Sequence, residues 1–504
     1  MSTAIRRLTL TLWLPLLLCG QSLRENLKEF EKNVTEFTLK NGMHFIVLER
    51  HQAPVVSFHM YVNAGAANDP AGRTGIAHMF EHMIGKGTTT VGTKNWPEEK
   101  KALDRVNAIY AQLEEERNKE YRANPEVIKK LQEELNSAIA KANQFVVPNE
   151  YVRVIEENGA MGFNASTGLD ATQYYYSLPS NRAELWFLLQ SEWLRQPVYR
   201  EFYKERDVVR EERRMRTESN PVGRLQEALI ATAITSTPYR TVVGWASDIE
   251  NLTVQDAQNF FKTYYVPGNI TVAIAGDITG AEARRLAEKY FGPLPAGPLP
   301  PRVRTTEAKQ EGEKRVQVES PSQPYVFIAW QRPDQHDKDD AVFDVLANIL
   351  SSGRTGLLHK DLVETRRLAL AAGAAPAFPG GKYNNLFLAY AVPGPGKTVE
   401  ENERAIYEVI DQLKKEKVDE TTLRRVKTKL RAGLIRQLDS NPGLASQLAF
   451  YHVNYGDWRV LFTAIDEIDK VTAEDVQRVA QQYLNKSTRT VAYIVPPSAK
   501  EAGK

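Results

Sequence analysis

The chain is predicted to be an α+β protein made of two homologous α/β sandwich domains in tandem, each an antiparallel-rich sheet with helices packed on it. Three observations predict this. The chain has 504 residues, too many for one hydrophobic core. A segment that reads as a capped helix followed by a strand recurs at a constant offset of 219 residues. A Pro/Gly-rich stretch lies between the two copies.

The first copy runs from Ile249 through Leu252, Thr253, Asp256 and Gln258 to Tyr264 and the β-branched run from Asn269. The second runs from Ile468 through Val471, Thr472, Asp475 and Gln477 to Tyr483 and the run from Thr488. Thr253 and Thr472 suit the N-cap, and a carboxylate three residues later sits near the helix's positive end. The segment Gly292–Pro301 and the polar residues that follow have linker composition, which places a linker at 293–312. The halves are then an N-terminal domain, 30–292, and a C-terminal domain, 313–497.

At the start, Arg6 and Arg7 precede an apolar run, Leu8–Leu18, and then Cys19-Gly20. This pattern describes a signal peptide over 1–20 and predicts an exported chain, periplasmic or secreted. A lipid anchor at Cys19 is the alternative, although Leu18 fits that processing poorly. No later segment reaches membrane-spanning length. Cys19 is the only cysteine, so removing the leader leaves no disulfide and no thiol nucleophile. Lys plus Arg number 65 against 63 Asp plus Glu, which gives no electrostatic case for a nucleic-acid partner.

Each half opens with strand candidates. In the first they are Glu36 to Glu49, turning at Lys40-Asn41-Gly42; in the second, Arg315 to Glu319 and Tyr325 to Trp330. The first half then carries His78-Met79-Phe80-Glu81-His82. On a helix, residues i and i+4 share a face, so His78 and His82 can offer two imidazoles to one metal ion. Glu81 shares that face and can stand beside a water activated by the ion. The order H-x-x-E-H mirrors the H-E-x-x-H zinc signature. The corresponding stretch of the second half, Ala341 to Arg354, has no histidine, so one metal site is expected.

A catalytic zinc needs a third protein ligand. The charged helix candidate Glu201 to Met215 offers Glu205 and Glu212, two turns apart on one face, with Val208 and Met215 near it. The segment Asn164 to Tyr176 alternates and is rich in Thr and Tyr, as a strand would be.

These motifs resemble the pitrilysin/insulinase-type zinc metallopeptidases, in particular their half-length members, over nearly the whole chain. The resemblance rests on Gly75 to Thr88 around the histidines, Asn164-Ala165-Ser166-Thr167 with Asp170 and Thr172, the pair Glu205 and Glu212, and Tyr265-Val266-Pro267-Gly268-Asn269 leading to Gly276-Asp277. It implies one Zn2+ per chain held by His78, His82 and Glu212, with Glu205 supporting the ligands and Glu81 as general base. It further implies that Asn164, Ala165, Ser166 and Thr167 lie on an edge strand that binds substrate by strand addition. The implied activity is endopeptidase action on peptides or unfolded segments in an enclosed chamber.

Two features depart from the family pattern. A charged insertion, about 97–147, carries the apolar stripes Leu103, Val106, Tyr110, Leu113 and Ile128, Leu131, Leu135, Ala138, broken by Asn124-Pro125. This predicts a helical hairpin with its own seam. Active members also use an Arg and a Tyr to hold the substrate carbonyl; Val363 and Leu370 stand at those positions here, with a shifted register through Arg366 or Arg367 left open. The expectation is a metal-bearing subunit with a homologous partner, as a heterodimer, or alternatively a homodimer. The rival class is a non-catalytic assembly or scaffold homologue. A purely structural zinc is disfavoured, because such sites commonly use cysteine.

Overall fold

The computed structural model describes residues 27–497 except Glu29, so the expected leader and Cys19 lie outside the described residues. The first half forms a six-stranded sheet from β1 (Val34–Thr38), β2 (His44–Glu49), β3 (Val55–Val62), β4 (Met161–Thr167), β5 (Thr172–Pro179) and β6 (Ile270–Gly276). Its spatial order is β1-β2-β6-β3-β5-β4. The second half forms a five-stranded sheet from β7 (Lys314–Glu319), β8 (Val326–Arg332), β9 (Ala369–Phe378), β10 (Asn385–Pro393) and β11 (Arg489–Val495), in the order β7-β11-β8-β10-β9.

The duplication is visible strand by strand. The run β2-β6-β3-β5-β4 matches β7-β11-β8-β10-β9, and in each the first pair is parallel and the rest antiparallel. The recurring helices are Val254–Tyr264 and Ala473–Tyr483. Thr253 and Thr472 cap them, each closing a reciprocal box with the carboxylate of Asp256 or Asp475. Only β1 has no counterpart in the second sheet, where β7 is an edge.

The halves exchange helices. Helix Asn441–Tyr455, from the second half, lays Leu444, Ala445, Leu448 and Ala449 on Ile46, Leu48, Ala273 and Ala275 of the first sheet. Helix Pro221–Ala233, from the first half, lays Leu225, Leu229 and Ala233 on Phe327, Ala329, Ala492 and Ile494 of the second. Each fully buried leucine contributes roughly 1.5–3 kcal/mol relative to exposure, so each sheet depends on the opposite half. Both helices start with an Asn-Pro pair at or next to the N-cap, and both first turns are capped by a side chain, Asn220 or Ser440.

Three local expectations are refined. The segment from Asn164 to Tyr176 is two strands, because the chain turns at Gly168–Ala171; β4 is the sheet edge, while Tyr174 and Tyr176 on β5 are core residues. Val208 and Met215 are 46% and 61% exposed, so the helix is anchored instead through Phe202 and Val209. The insertion is a pair of packed helices, Trp96–Arg117 and Pro125–Asn143, but its seam extends to Tyr203 of the main body, whose ring stacks on Tyr110 at 4.4 Å.

Candidate metal centre

The short helix Ile76–His82 is held from three sides. Gly75 precedes it at φ 88°, and a Cβ there would meet the Val243 carbonyl oxygen at 2.3 Å, so only glycine fits. Asp69 accepts from the Gly75 and Ala77 N–H groups at 2.7 and 3.0 Å, satisfying donors that a helix start leaves unpaired. Burial keeps the Asp69 carboxyl well above the usual range, against those two hydrogen bonds. Ile76, Ala77, Met79 and Phe80 enter the core, where Phe80 packs on Tyr265 and Trp193 at 4.6 and 5.5 Å. The opposite stripe, His78, Glu81 and His82, then faces the helix Phe202–Arg213.

His78 Nε2 lies 3.6 Å from one Glu212 oxygen and His82 Nε2 lies 3.6 Å from the other. One ligand atom from each of the three residues falls within a 4.8 Å cluster. The two imidazole planes stand at 80°, so their nitrogens converge from different directions. His82 Nδ1 is 3.3 Å from Glu205 Oε2, the carboxylate contact that typically orients a ligating histidine. This donor set, two neutral-capable imidazoles and a carboxylate with a supporting carboxylate behind, fits a zinc-class ion.

The electrostatics of the four groups differ. Burial first, then the neighbouring His82 and Arg216, holds His78 down at about 4, against the pull of Glu212, so its lone pair is available at neutral pH. Burial also opposes charge on His82, but Glu205 and Glu212 outweigh it and raise that group to about 9. The Glu212 carboxyl is held below its ordinary value by His82 beside it, against burial and with help from His78 and Arg216. Glu205 is also held low: burial raises it, but hydrogen bonds from His82 and Lys86 win.

Glu81 behaves differently. Burial raises its carboxyl above the ordinary value, against the opposing pull of nearby Thr167 and His82. Thr167 ends edge strand β4, so the Glu81 carboxyl and the strand carrying Asn164, Ala165, Ser166 and Thr167 meet at this corner.

The sequence reading missed two charged partners, Lys86 and Arg216. Lys86, one turn after His82, pairs with Glu205 and reaches Glu201 at 3.3 Å. Arg216 reaches Glu212 at 2.7 Å from the π-helical turn Arg214–Glu218. The i+4 spacing from His82 to Lys86 was the available signal; a π-turn leaves no comparable sequence mark. At the expected clamp, Val363 packs against the second core and Leu370 is 56% exposed at the start of β9. Arg366 is committed to Asp361 and Glu408, while Arg367 is exposed at φ 52°.

Residues 45–117 and 135–243 match the family described as Insulinase (Peptidase family M16), and residues 251–430 match the Peptidase M16 inactive domain. The unmatched residues 118–134 are the outer end of the hairpin. The chain is similar to the zinc protease PqqE of Helicobacter pylori, 26% identical over 91% of this chain and 92% of that one. It is also similar to a probable mitochondrial-processing peptidase subunit beta of Arabidopsis thaliana, 24% identical over 91% and 78%. Among solved structures, a protease from Helicobacter pylori superposes with a TM-score of 0.76 at 25% identity, covering 92% of this chain and 99% of that one.

Proposed function

Since the chain belongs to the insulinase (M16) peptidase family, we propose that it is the metal-bearing subunit of a zinc-dependent endopeptidase that hydrolyses peptides or unfolded segments within an enclosed chamber. The observation that carries this reading is the convergence of His78, His82 and Glu212 beside Glu81, at the end of an edge strand. A zinc ion held by those three residues would supply Lewis acidity, activating water and polarising the scissile carbonyl.

The chain's own residues do the rest. Glu81 takes the proton from the attacking water and returns it to the leaving amine; a carboxyl raised by burial suits both tasks. Glu205 fixes the orientation of the His82 ring, and Lys86 neutralises Glu205 so that this corner does not accumulate negative charge. β4 offers main-chain groups to an extended peptide, with Asn164, Ala165, Ser166 and Thr167 alongside it; such pairing gives affinity with little sequence preference.

Val363 and Leu370 carry no hydrogen-bond donor on their side chains, so a homologous partner supplying Arg and Tyr completes the substrate clamp. A heterodimer is the arrangement favoured, with a homodimer as the alternative. The Arabidopsis relative, named as a subunit, supports a multi-subunit assembly. The composition of residues 1–20 supports export to the periplasm or beyond. Among the described residues, no helix is long and apolar enough to cross a membrane.

A second reading is a non-catalytic scaffold homologue. The match of residues 251–430 to an inactive domain favours it. A general-base carboxylate beside three ligands favours the peptidase, since a scaffold needs neither. Metal analysis and a quenched-fluorescent peptide assay on the wild type and Glu81→Gln decide between them. The peptidase reading expects hydrolysis that Glu81→Gln abolishes; no hydrolysis by the zinc-loaded wild type, with or without a partner, supports the scaffold.

A further inference from the structure

Far from the candidate catalytic helix, Glu36 on β1, His44 on β2 and His452 on helix Asn441–Tyr455 bring one ligand atom each within 4.8 Å. Among the described residues, this and the His78 cluster are the two groupings of that kind. His44 Nε2 lies 3.1 Å and His452 Nδ1 3.8 Å from the same oxygen, Glu36 Oε1. Both nitrogens are buried, yet neither makes a hydrogen bond. A carboxylate oxygen thus faces two nitrogens that are not aligned to donate to it, and a buried polar atom without a partner is costly.

The surroundings prepare these atoms for a cation. On the far side of the His44 ring, Nδ1 meets the Thr38 hydroxyl at 2.9 Å; a proton held there leaves Nε2 with its lone pair toward Glu36. Glu36 Oε2 is occupied by Trp458 Nε1 at 3.2 Å and Arg459 at 3.5 Å, so Oε1 is the oxygen left for the histidines. Burial first, then the facing His452, holds His44 at about 4, against Glu36, and burial lowers His452 as well. Both rings are then neutral at physiological pH, the form that binds metal.

We propose that Glu36, His44 and His452 form a second site for a divalent transition-metal ion of the zinc class, which staples the β1–β2 hairpin to the helix donated by the other half. Two imidazoles and a carboxylate are ligands such ions accept, with water completing the shell. The rings stand parallel, 3.9 Å apart at 3°, so an entering ion must tilt them toward each other. Side-chain exposures of 15% for His44, 20% for His452 and 32% for Glu36 leave it a path. The role is structural, since the ion would join segments about 400 residues apart at the seam where the halves exchange helices.

The test uses the full chain carrying Glu212→Ala, which disables the candidate catalytic site and separates this inference from the reading above. With Zn2+ alone as probe, calorimetry and thermal melts should find about one bound equivalent and a Tm raised by about 3 °C near saturation. Adding His452→Gln or His44→Gln should remove both effects. If His452→Gln does not fold, His44→Gln gives the result. A Glu212→Ala chain that neither binds zinc nor gains stability from it overturns the site, and so does binding indifferent to both substitutions.

Discussion

Glu99 and Arg200 form an ion pair with almost no solvent exposure, 0% and 1%, across the base of the inserted hairpin. Arg200 Nε donates to one carboxylate oxygen at 2.5 Å and a terminal nitrogen to the other at 3.0 Å. Its remaining N–H groups donate to the carbonyls of Lys86, Thr88 and Val91, in the loop that follows the helix Ile76–His82. A Cβ at Gly92 would come within 2.6 Å of the guanidinium, which explains the glycine. The two hairpin helices pack along their own seam, and its base is wired through Lys86 to Glu205 and His82.

Breaking that pair should be expensive. Glu99→Ala leaves a buried guanidinium without its counter-charge and should cost about 3–5 kcal/mol in denaturant unfolding. Glu99→Ala with Arg200→Met should recover part of the loss, because no unpaired charge remains. A hairpin deletion from 98 to 144 that retains Arg200 should be destabilised for the same reason. Equal stability of wild type and Glu99→Ala would refute this account.

Removing the proposed proton carrier should separate chemistry from metal binding. Glu81→Gln should lower peptide hydrolysis by at least about 10²-fold while zinc at the His78 cluster is unchanged. His78→Ala, His82→Ala and Glu212→Ala should each lose that ion together with activity. A Glu212→Ala chain that keeps its catalytic zinc, as judged against the same variant with His78→Ala added, would remove Glu212 from the ligand set.

On the proposed reading, Glu205 supports the ion through His82. Glu205→Gln should weaken zinc binding by about 10–100-fold, the usual effect of losing a carboxylate behind a histidine ligand. A competing chelator measures this directly. An unchanged affinity would show that the 3.3 Å contact contributes nothing to binding.

The segment between the two sheets contributes a pH-dependent clasp. Glu307 accepts the N–H groups of Thr235, Ser236 and Thr237 at 2.7, 3.1 and 2.8 Å, and the two threonine hydroxyls at 2.6 and 3.0 Å. Burial opposes the charge, but these bonds hold the carboxyl at about 2. A depressed carboxyl stabilises the fold fully above its ordinary value, near 4.5, and loses that contribution as pH falls toward 2. Glu307→Gln should therefore be less stable than wild type at pH 7, with the gap narrowing below pH 4.5. A gap independent of pH across that window would show that charge is not the cause.

The proposed half-site reading bears on the activity of the isolated chain. One absent oxyanion donor typically costs about 10²–10³ in rate, so purified chain should hydrolyse peptides weakly. A homologous subunit carrying Arg and Tyr at the positions of Val363 and Leu370 should raise the rate by that order. Full activity without any partner, with purity checked by mass spectrometry, would refute the half-site reading.

Features set by neighbouring residues were legible in the chain alone. The i, i+3, i+4 spacing of His78, Glu81 and His82 defines one helix face wherever that helix sits, and the Thr253 and Thr472 caps are closed by residues three positions away. The constant offset recorded the duplication because equivalent elements kept equal lengths: β6 and β11 are both seven residues. Tertiary structure alone decided which partners those elements met. No local pattern says that helix Asn441–Tyr455 covers the opposite sheet, that Thr167 lies beside Glu81, that Glu99 meets Arg200, or that His44 stacks on His452. Periodicity specifies which face of a helix or strand is apolar, but not which of several apolar faces will bury it. That choice is made by packing among residues 86 to 408 positions apart, and the side-chain chemistry at those contacts follows from it.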